Sequence, residues 1–244
     1  MNGQRTSTMQ GFTLLEVLIA ISITAMIGVG AVQVISTITN ARDGIATRSQ
    51  QLSDLQRFNA VVSRDIAQFI NRPIRDQYGE EQTALLLESG DYLLEFTRTG
   101  WRNRPASENP RSELQRIAYQ IESLDDEACE SARQRLASTE EPDPEGDCLV
   151  RYIWNVLDRG YDSEPRSMVV LDQLESLEIS LLVDDRDSES ESGSPVQSQD
   201  WFSSWPSLQD SGTKLVPVAM RWKLELPVWG ELERLWEIAH DGAT

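Results

Sequence analysis

Lysine is nearly missing from this chain: Lys214 and Lys223 are the only two in 244 residues. With 22 Lys plus Arg against 40 Asp plus Glu, the formal net charge is −18. Phosphate binding needs clustered cations, so no nucleic-acid partner is expected. Histidine occurs once, at His240, near the end of the chain. A Ser-His-Asp or Cys-His centre would have to be built from it, and neither a nucleophile elbow nor a Gly-rich phosphate loop is present. Forty acids make chance carboxylate pairs common, and nothing singles one pair out for acid–base work. The sequence nominates no catalytic residue, no enzyme activity and no cofactor.

Cysteine is scarce as well. Cys129 and Cys148 are an even pair, too few beside one distant histidine for a zinc site. Outside the cytoplasm such a pair reads as a disulfide closing a loop of about 20 residues, a link of about 3 kcal/mol in the chain-entropy model. The alternative is two free thiols. Metal ligands are otherwise sought in the acidic run Asp184–Glu191, because hard cations take several carboxylates. A calcium loop starting at Asp185 would need glycine where Ser190 stands and glutamate where Val196 stands. The run continues into Ser-Gly-Ser-Pro and reads as solvated linker, so no metal is assigned.

What the chain does have is one long apolar run near its start. From Val17 to Ile35 only Gln33 and a few hydroxyls interrupt it. At 1.5 Å per helical residue it spans roughly 28 Å, about one bilayer core. Glu16 lies at its edge, and an acid in such a place costs on the order of 2.5–3.5 kcal/mol on insertion scales. It therefore needs a cationic partner. Cutting the bond between Gly11 and Phe12 would create one, the new α-amine of Phe12, about one helical turn from Glu16 or near Glu16 of a neighbouring chain. The same cut removes Arg5. An ordinary secretory signal is cleaved after its apolar core, not before it. A plain single-pass anchor would leave Glu16 unexplained.

Beyond the run, Ile45, Leu52, Leu55, Phe58, Val62, Ile66 and Phe69 recur at helical spacing, with Arg48, Gln51, Asp54 and Arg64 opposite. One helix of roughly 55–60 residues is predicted, its last turn at Asn71-Arg72 and its stop at Pro73. The period then changes to two. Ala84–Glu88 and Tyr92–Arg98 flank Ser89-Gly90-Asp91 as a hairpin. Leu114–Ile121, Leu149–Trp154, Ser176–Val183, Pro217–Leu226 and Glu231–Ile238 read as further antiparallel strands, with Arg116 and Arg151 on a wet face. A short helix is expected after Cys129, and a surface loop over Trp101–Arg111. The cluster Trp201–Trp205 is either an exposed anchor for a partner or a lid folded back on the sheet. The fold class is α+β: a long N-terminal helix laid on antiparallel sheet.

The leader ending Gln10-Gly11-Phe12-Thr13-Leu14-Leu15-Glu16 resembles the class III signal of type IV pilins and type II secretion pseudopilins. Internal segments resemble the J-type minor pseudopilins: Leu94–Trp101, Arg111–Tyr119, Trp154–Arg159, Val218–Leu226 with Trp229-Gly230, and Asp65 with Arg72–Asp76 near the helix end. The resemblance implies a pilin-like fold, cleavage after Gly11 by a prepilin peptidase and N-methylation of Phe12. It also implies a salt bridge from Glu16 to a neighbour's terminal amine. It divides the chain into a leader (1–11), a transmembrane and assembly helix (12–39) and a periplasmic domain (40–240) made of helix 40–72 and a β head over 83–238. Its implied partners are minor pseudopilins I and K, with H as a further one, together with the major pseudopilin shaft and the inner membrane. The implied role is structural: part of a tip complex that initiates and caps the pseudopilus driving folded exoproteins across the outer membrane. A minor pilin of a type IV pilus or DNA-uptake system shares the leader and is the alternative.

Overall fold

The computed structural model describes residues 13–76, 78–100, 112–137, 146–157, 159–160, 163–185, 200–206 and 215–238. The leader with Gly11 and Phe12, the loop 101–111, the acidic residues 186–191 and His240 lie outside the described residues. The chain divides into two compact units, Met1–Leu52 and Ser53–Thr244.

The first unit is carried by helix α1, which runs Leu14–Ala67 and continues into the second unit. The described side chains of this unit are exposed up to Gln50. Its most apolar 18-residue window has a mean hydropathy of 2.2. By length and composition that is enough to cross a membrane.

The second unit is a double-sheet head. Its strands are β1 (Ile74–Arg75), β2 (Glu81–Gln82), β3 (Leu85–Leu87), β4 (Leu94–Arg98), β5 (Gln115–Ser123) and β6 (Asp147–Trp154). They continue with β7 (Arg166–Leu174), β8 (Ser176–Asp185), β9 (Asp200–Phe202), β10 (Leu215–Leu226) and β11 (Gly230–Glu237). Helix α2 (Glu130–Ala137) precedes β6. One sheet has the order β3-β4-β5-β6-β7, the second β11-β10-β8-β9, and β1-β2 form a small ladder; all pairs are antiparallel. The chain changes sheets at Glu175, whose N–H donates to Glu225 O at 2.8 Å. A second tie joins Leu87 and Trp205 by two backbone bonds of 2.9 and 2.7 Å.

The core lies where the last turns of α1 meet both sheets. Phe58, Val62 and Ile66 are buried with Leu94, Phe96, Ile117 and Leu149 of the first sheet and Leu181, Met220 and Trp222 of the second. Each such side chain contributes about 1.5–3 kcal/mol of burial. Trp222 is the hub, with ring centroids 5.9 Å from Phe58, 5.2 Å from Tyr119 and 5.7 Å from Trp236. Trp236 Nε1 donates to Ser63 Oγ at 2.7 Å, which sets the height of β11 on the helix.

Three sequence readings need correction. The helix stops at Ala67, not at Arg72. Phe69 bridges Arg98, and Ile70 N donates to Thr97 O at 3.1 Å, so the end of β4 captures the backbone before Pro73 can act as the stop. Close passage there requires Gly100: its φ is +114°, and a Cβ would meet the Gln68 amide at 2.2 Å. Second, Arg166–Leu174 is a strand that the two-residue period does not reveal. Its register against β6 slips between Asp147 and Leu149 and again before Val150, and such irregularities break the alternation. Third, Arg116 and Arg151 are not on a wet face: they are 0% and 5% exposed. Each meets a buried carboxylate, Glu95 on one face of the sheet and Asp65 of α1 on the other.

Candidate functional site

The helix of the first unit is built to be covered by something other than this chain. Thr13 precedes its first turn, and Glu16 N donates to Thr13 Oγ1 at 3.3 Å, the spacing of an N-terminal cap. Glu16 thereby sits in the first turn, where the helix dipole favours an acid. The hydroxyls that interrupt the apolar run are satisfied within it. Ser22 Oγ donates to Leu18 O at 2.8 Å, Thr24 Oγ1 to Ala20 O at 2.7 Å, and Thr37 Oγ1 to Gln33 O at 2.9 Å. Bonded in this way they enter lipid at little cost.

Two buried ion clusters lie on the first sheet, one on each face. On the face under α1, Asp65 is 2% exposed. Its carboxylate accepts from Arg98, from Arg151 (Nη2 at 3.0 Å, Nε also) and from Tyr119 Oη at 2.6 Å. Burial, then the Asp65 charge, push the Tyr119 phenol well above its ordinary range, so it stays protonated and donates. Burial lowers the Arg98 guanidinium. The same penalty acts on Arg151, but two bonds from Asp65 outweigh it and the net shift is upward. On the opposite face Arg116 donates to Glu95 Oε1 at 2.7 Å, Ala84 O at 2.9 Å and Thr97 Oγ1 at 3.0 Å. Arg159 shares Glu95 and stacks over Trp154 at 4.8 Å.

The signal for these clusters was present in the sequence. Asp65 follows Phe58 by seven residues and Val62 by three, so it stands on the apolar stripe and not opposite it. Glu95 alternates with Leu94 and Phe96 on one strand, which aims it at the face away from the helix.

Cys129 and Cys148 form a disulfide with a Cα–Cα distance of 6.1 Å. It joins a 3-10 turn, Glu127–Cys129, to β6 over a small core of Leu124, Ala132 and Val150. Asp126 caps the turn by accepting from Ala128 N at 2.8 Å, and Arg135 grips Asp172 with two bonds of 2.7 and 2.6 Å. Replacing both cysteines by serine is expected to lower head stability by about 3 kcal/mol, read by thermal or urea unfolding. Thiol labelling of the unreduced protein should find neither sulfur; two labelled thiols would refute the bridge.

The aromatic cluster splits between its two readings. Phe202 and Trp205 turn inward, with ring centroids 6.5 Å apart, and close the core as a lid. Trp201 points outward and is 37% exposed. Among the described residues no group of three or more His, Cys, Asp or Glu is placed to hold a metal ion.

Comparison with known proteins agrees with this geometry. Residues 33–238 match the family model of type II secretion system protein J, and residues 7–32 match the prokaryotic N-terminal methylation motif. Type II secretion system protein J of Escherichia coli is 30% identical over 234 residues, covering 94% of this chain and 96% of that protein. The protein J of Vibrio cholerae serotype O1 is 35% identical over 120 residues, 46% of this chain and 53% of that protein. Among solved structures, a chain of the GspK-GspI-GspJ complex of the enterotoxigenic Escherichia coli type 2 secretion system matches with a TM-score of 0.51 at 25% identity. That match covers 80% of this chain and 99% of the other. The Asp65 cluster ties the end of α1 to β4, β5 and β6. The chain belongs to the protein J family of the type II secretion system: it is a minor pseudopilin, anchored in the inner membrane by its apolar helix, with its C-terminal head in the periplasm.

Proposed function

We propose that this chain stands in the tip complex that initiates and caps the pseudopilus, as a non-catalytic subunit with minor pseudopilins I and K beside it. Proteins I, K and J form one complex in the Escherichia coli relative, and that supports the same partners here, with H as a further one and the major shaft below. The prepilin peptidase cuts after Gly11, and the new amine of Phe12 is N-methylated. Glu16 neutralises the amine of a neighbouring subunit inside the fibre. The observation that carries this reading is the helix itself: its apolar side chains are exposed within the chain and require lipid or neighbouring helices to cover them. The match of residues 33–238 to protein J favours secretion over a type IV pilus or DNA-uptake role.

Glu16 has two local roles to separate, an acid on the positive end of its own helix dipole and a partner for an amine. Glu16→Gln keeps the side-chain size and the backbone N–H that donates to Thr13 Oγ1, and removes the charge. Cleavage should proceed normally in Glu16→Gln and in Glu16→Leu, while both should fail to co-purify with I and K from membranes. If Glu16→Gln assembles as the parent does, the pairing role is lost.

A further inference from the structure

The second sheet has an inward face packed on α1 and an outward face where Trp201, Leu235 and the glutamates are open to solvent, while Ser180 is buried beneath Arg221. Its outward side chains form rows across the strands, because directly paired residues of antiparallel strands share a face. The upper rows are Trp201–Leu182–Ala219–Glu237 and Ser180–Arg221–Leu235. The next two are Glu178–Lys223–Glu233 and Ser176–Glu225–Glu231.

The upper rows set Trp201, Leu182, Ala219 and Leu235 beside Arg221, Ser180 and Glu237. Leu235 is 60% exposed, which is unusual for a large aliphatic on the outer face of an edge strand flanked by Glu233 and Glu237. The guanidinium of Arg221 lies flat over the Trp201 ring at 4.0 Å, and its Nε donates to Ser180 Oγ at 3.1 Å. Trp and Arg are the residues most often found to dominate interface energetics, and a pair already locked in place loses little side-chain entropy on binding. The lower rows are different in kind. Four glutamates surround a single lysine, a net charge of −3 (four acids against Lys223). The face is therefore polarised, with an apolar and aromatic anchor at one end and negative charge at the other.

We propose that this outward face is the surface on which the head of a neighbouring minor pseudopilin docks. Its chemistry specifies the partner: an aliphatic or aromatic side chain to sit against Trp201 and Leu235, with Lys or Arg spaced one or two strand rows away to meet the glutamates. The gradient also sets orientation, because a partner docked the other way round would bury its cations on the apolar rows and leave the glutamates unpaired. The inference rests on the reading that I and K are the neighbours; it adds which surface of this chain they use and what that surface selects.

The test uses the full-length processed chain in detergent with its own proteins I and K. Affinity is measured by thermophoresis for the parent, Leu235→Glu, Trp201→Ser, the double variant Glu231→Lys with Glu233→Lys, and Met168→Glu. Met168 is exposed on β7 of the other sheet and serves as control. Thermal midpoints confirm that each variant is folded. Leu235→Glu and Trp201→Ser should each weaken binding about tenfold or more, the scale of an interface anchor. The double Lys variant should also weaken binding, and it should abolish the salt dependence of the parent. Met168→Glu should bind as the parent does. Scarce lysine makes a second readout clean: a zero-length carbodiimide should join Glu231 or Glu233 to a lysine of I or K. Parent-like binding by all three outer-face variants, or cross-links that join two copies of this chain, would overturn the surface while leaving I and K as partners. Failure of the parent to bind either protein would overturn both.

Discussion

Asp65→Ala is expected to destabilise the head by about 3–5 kcal/mol, the cost of leaving buried charge without its partner. The single carboxylate serves Arg98, Arg151 and the Tyr119 hydroxyl, and three of these four groups are almost fully removed from water. Alanine therefore removes one acid and leaves two guanidinium groups close together in a poorly solvated space. Urea unfolding followed by tryptophan fluorescence reads the change, since Trp222 lies against Tyr119. A drop below about 1 kcal/mol, the scale of an exposed pair, would show that the cluster is not a clamp. A quadruple replacement, Asp65→Leu with Arg98→Met, Arg151→Leu and Tyr119→Phe, should recover most of the loss, because it also removes the hydroxyl that Asp65 accepts from. A matched apolar set is often as stable as a buried ion cluster, whereas a broken cluster is not. The cluster also ties the end of α1 to three strands of one sheet, so Asp65→Ala should impair assembly even where Glu16 and the leader are intact.

Gly11→Glu is expected to leave no cleaved protein at all. The proposed cut lies between Gly11 and Phe12, and a bulky acid in place of glycine at the first of these positions is expected to block it. The retained leader keeps Arg5 on the chain and withholds the amine that Glu16 is proposed to neutralise. Mass spectrometry of membrane-extracted protein separates the two forms by the mass of residues 1–11. Secretion of exoproteins by the host should fall with it. A Gly11→Glu chain that begins at Phe12 would remove the cleavage site, and a parent chain that begins at Met1 would remove the assembly mechanism with it. The two predictions act on different units. Asp65→Ala should be processed normally, and Gly11→Glu should keep the unfolding midpoint of its head.

The elements read from period alone were those whose alternation survives into the fold. The stripe Phe58, Val62 and Ile66 and the strands around Phe96, Ile117 and Trp222 bury the side chains that repeat on one face. Alternation misleads where the environment of a strand is not a core on one side and water on the other. Arg116 and Arg151 lie on opposite faces of β5 and β6, and each is buried because a carboxylate from a distant segment meets it: Glu95 for the first, Asp65 for the second. Charge in a strand suggests solvent unless its counter-charge is known, and here the counter-charges are 21 and 86 residues away. The Trp201–Trp205 cluster failed to resolve for a similar reason: adjacent residues of a strand face opposite ways, so one segment supplies both a lid and an exposed ring.

What the sequence determined by itself is the membrane-directed part of this protein. A leader motif, an apolar run of bilayer length and one acid at its edge are local features, and local features need no partner within the chain to be recognised. Only the tertiary structure decided how the head holds together. Pairing across strands and helix places Asp65 and Glu95 beside their arginines and sets Leu235 next to Arg221 and Trp201 on the outward face of the second sheet. Those encounters join residues far apart along the chain, and nothing short of the folded register brings them within hydrogen-bond or van der Waals reach.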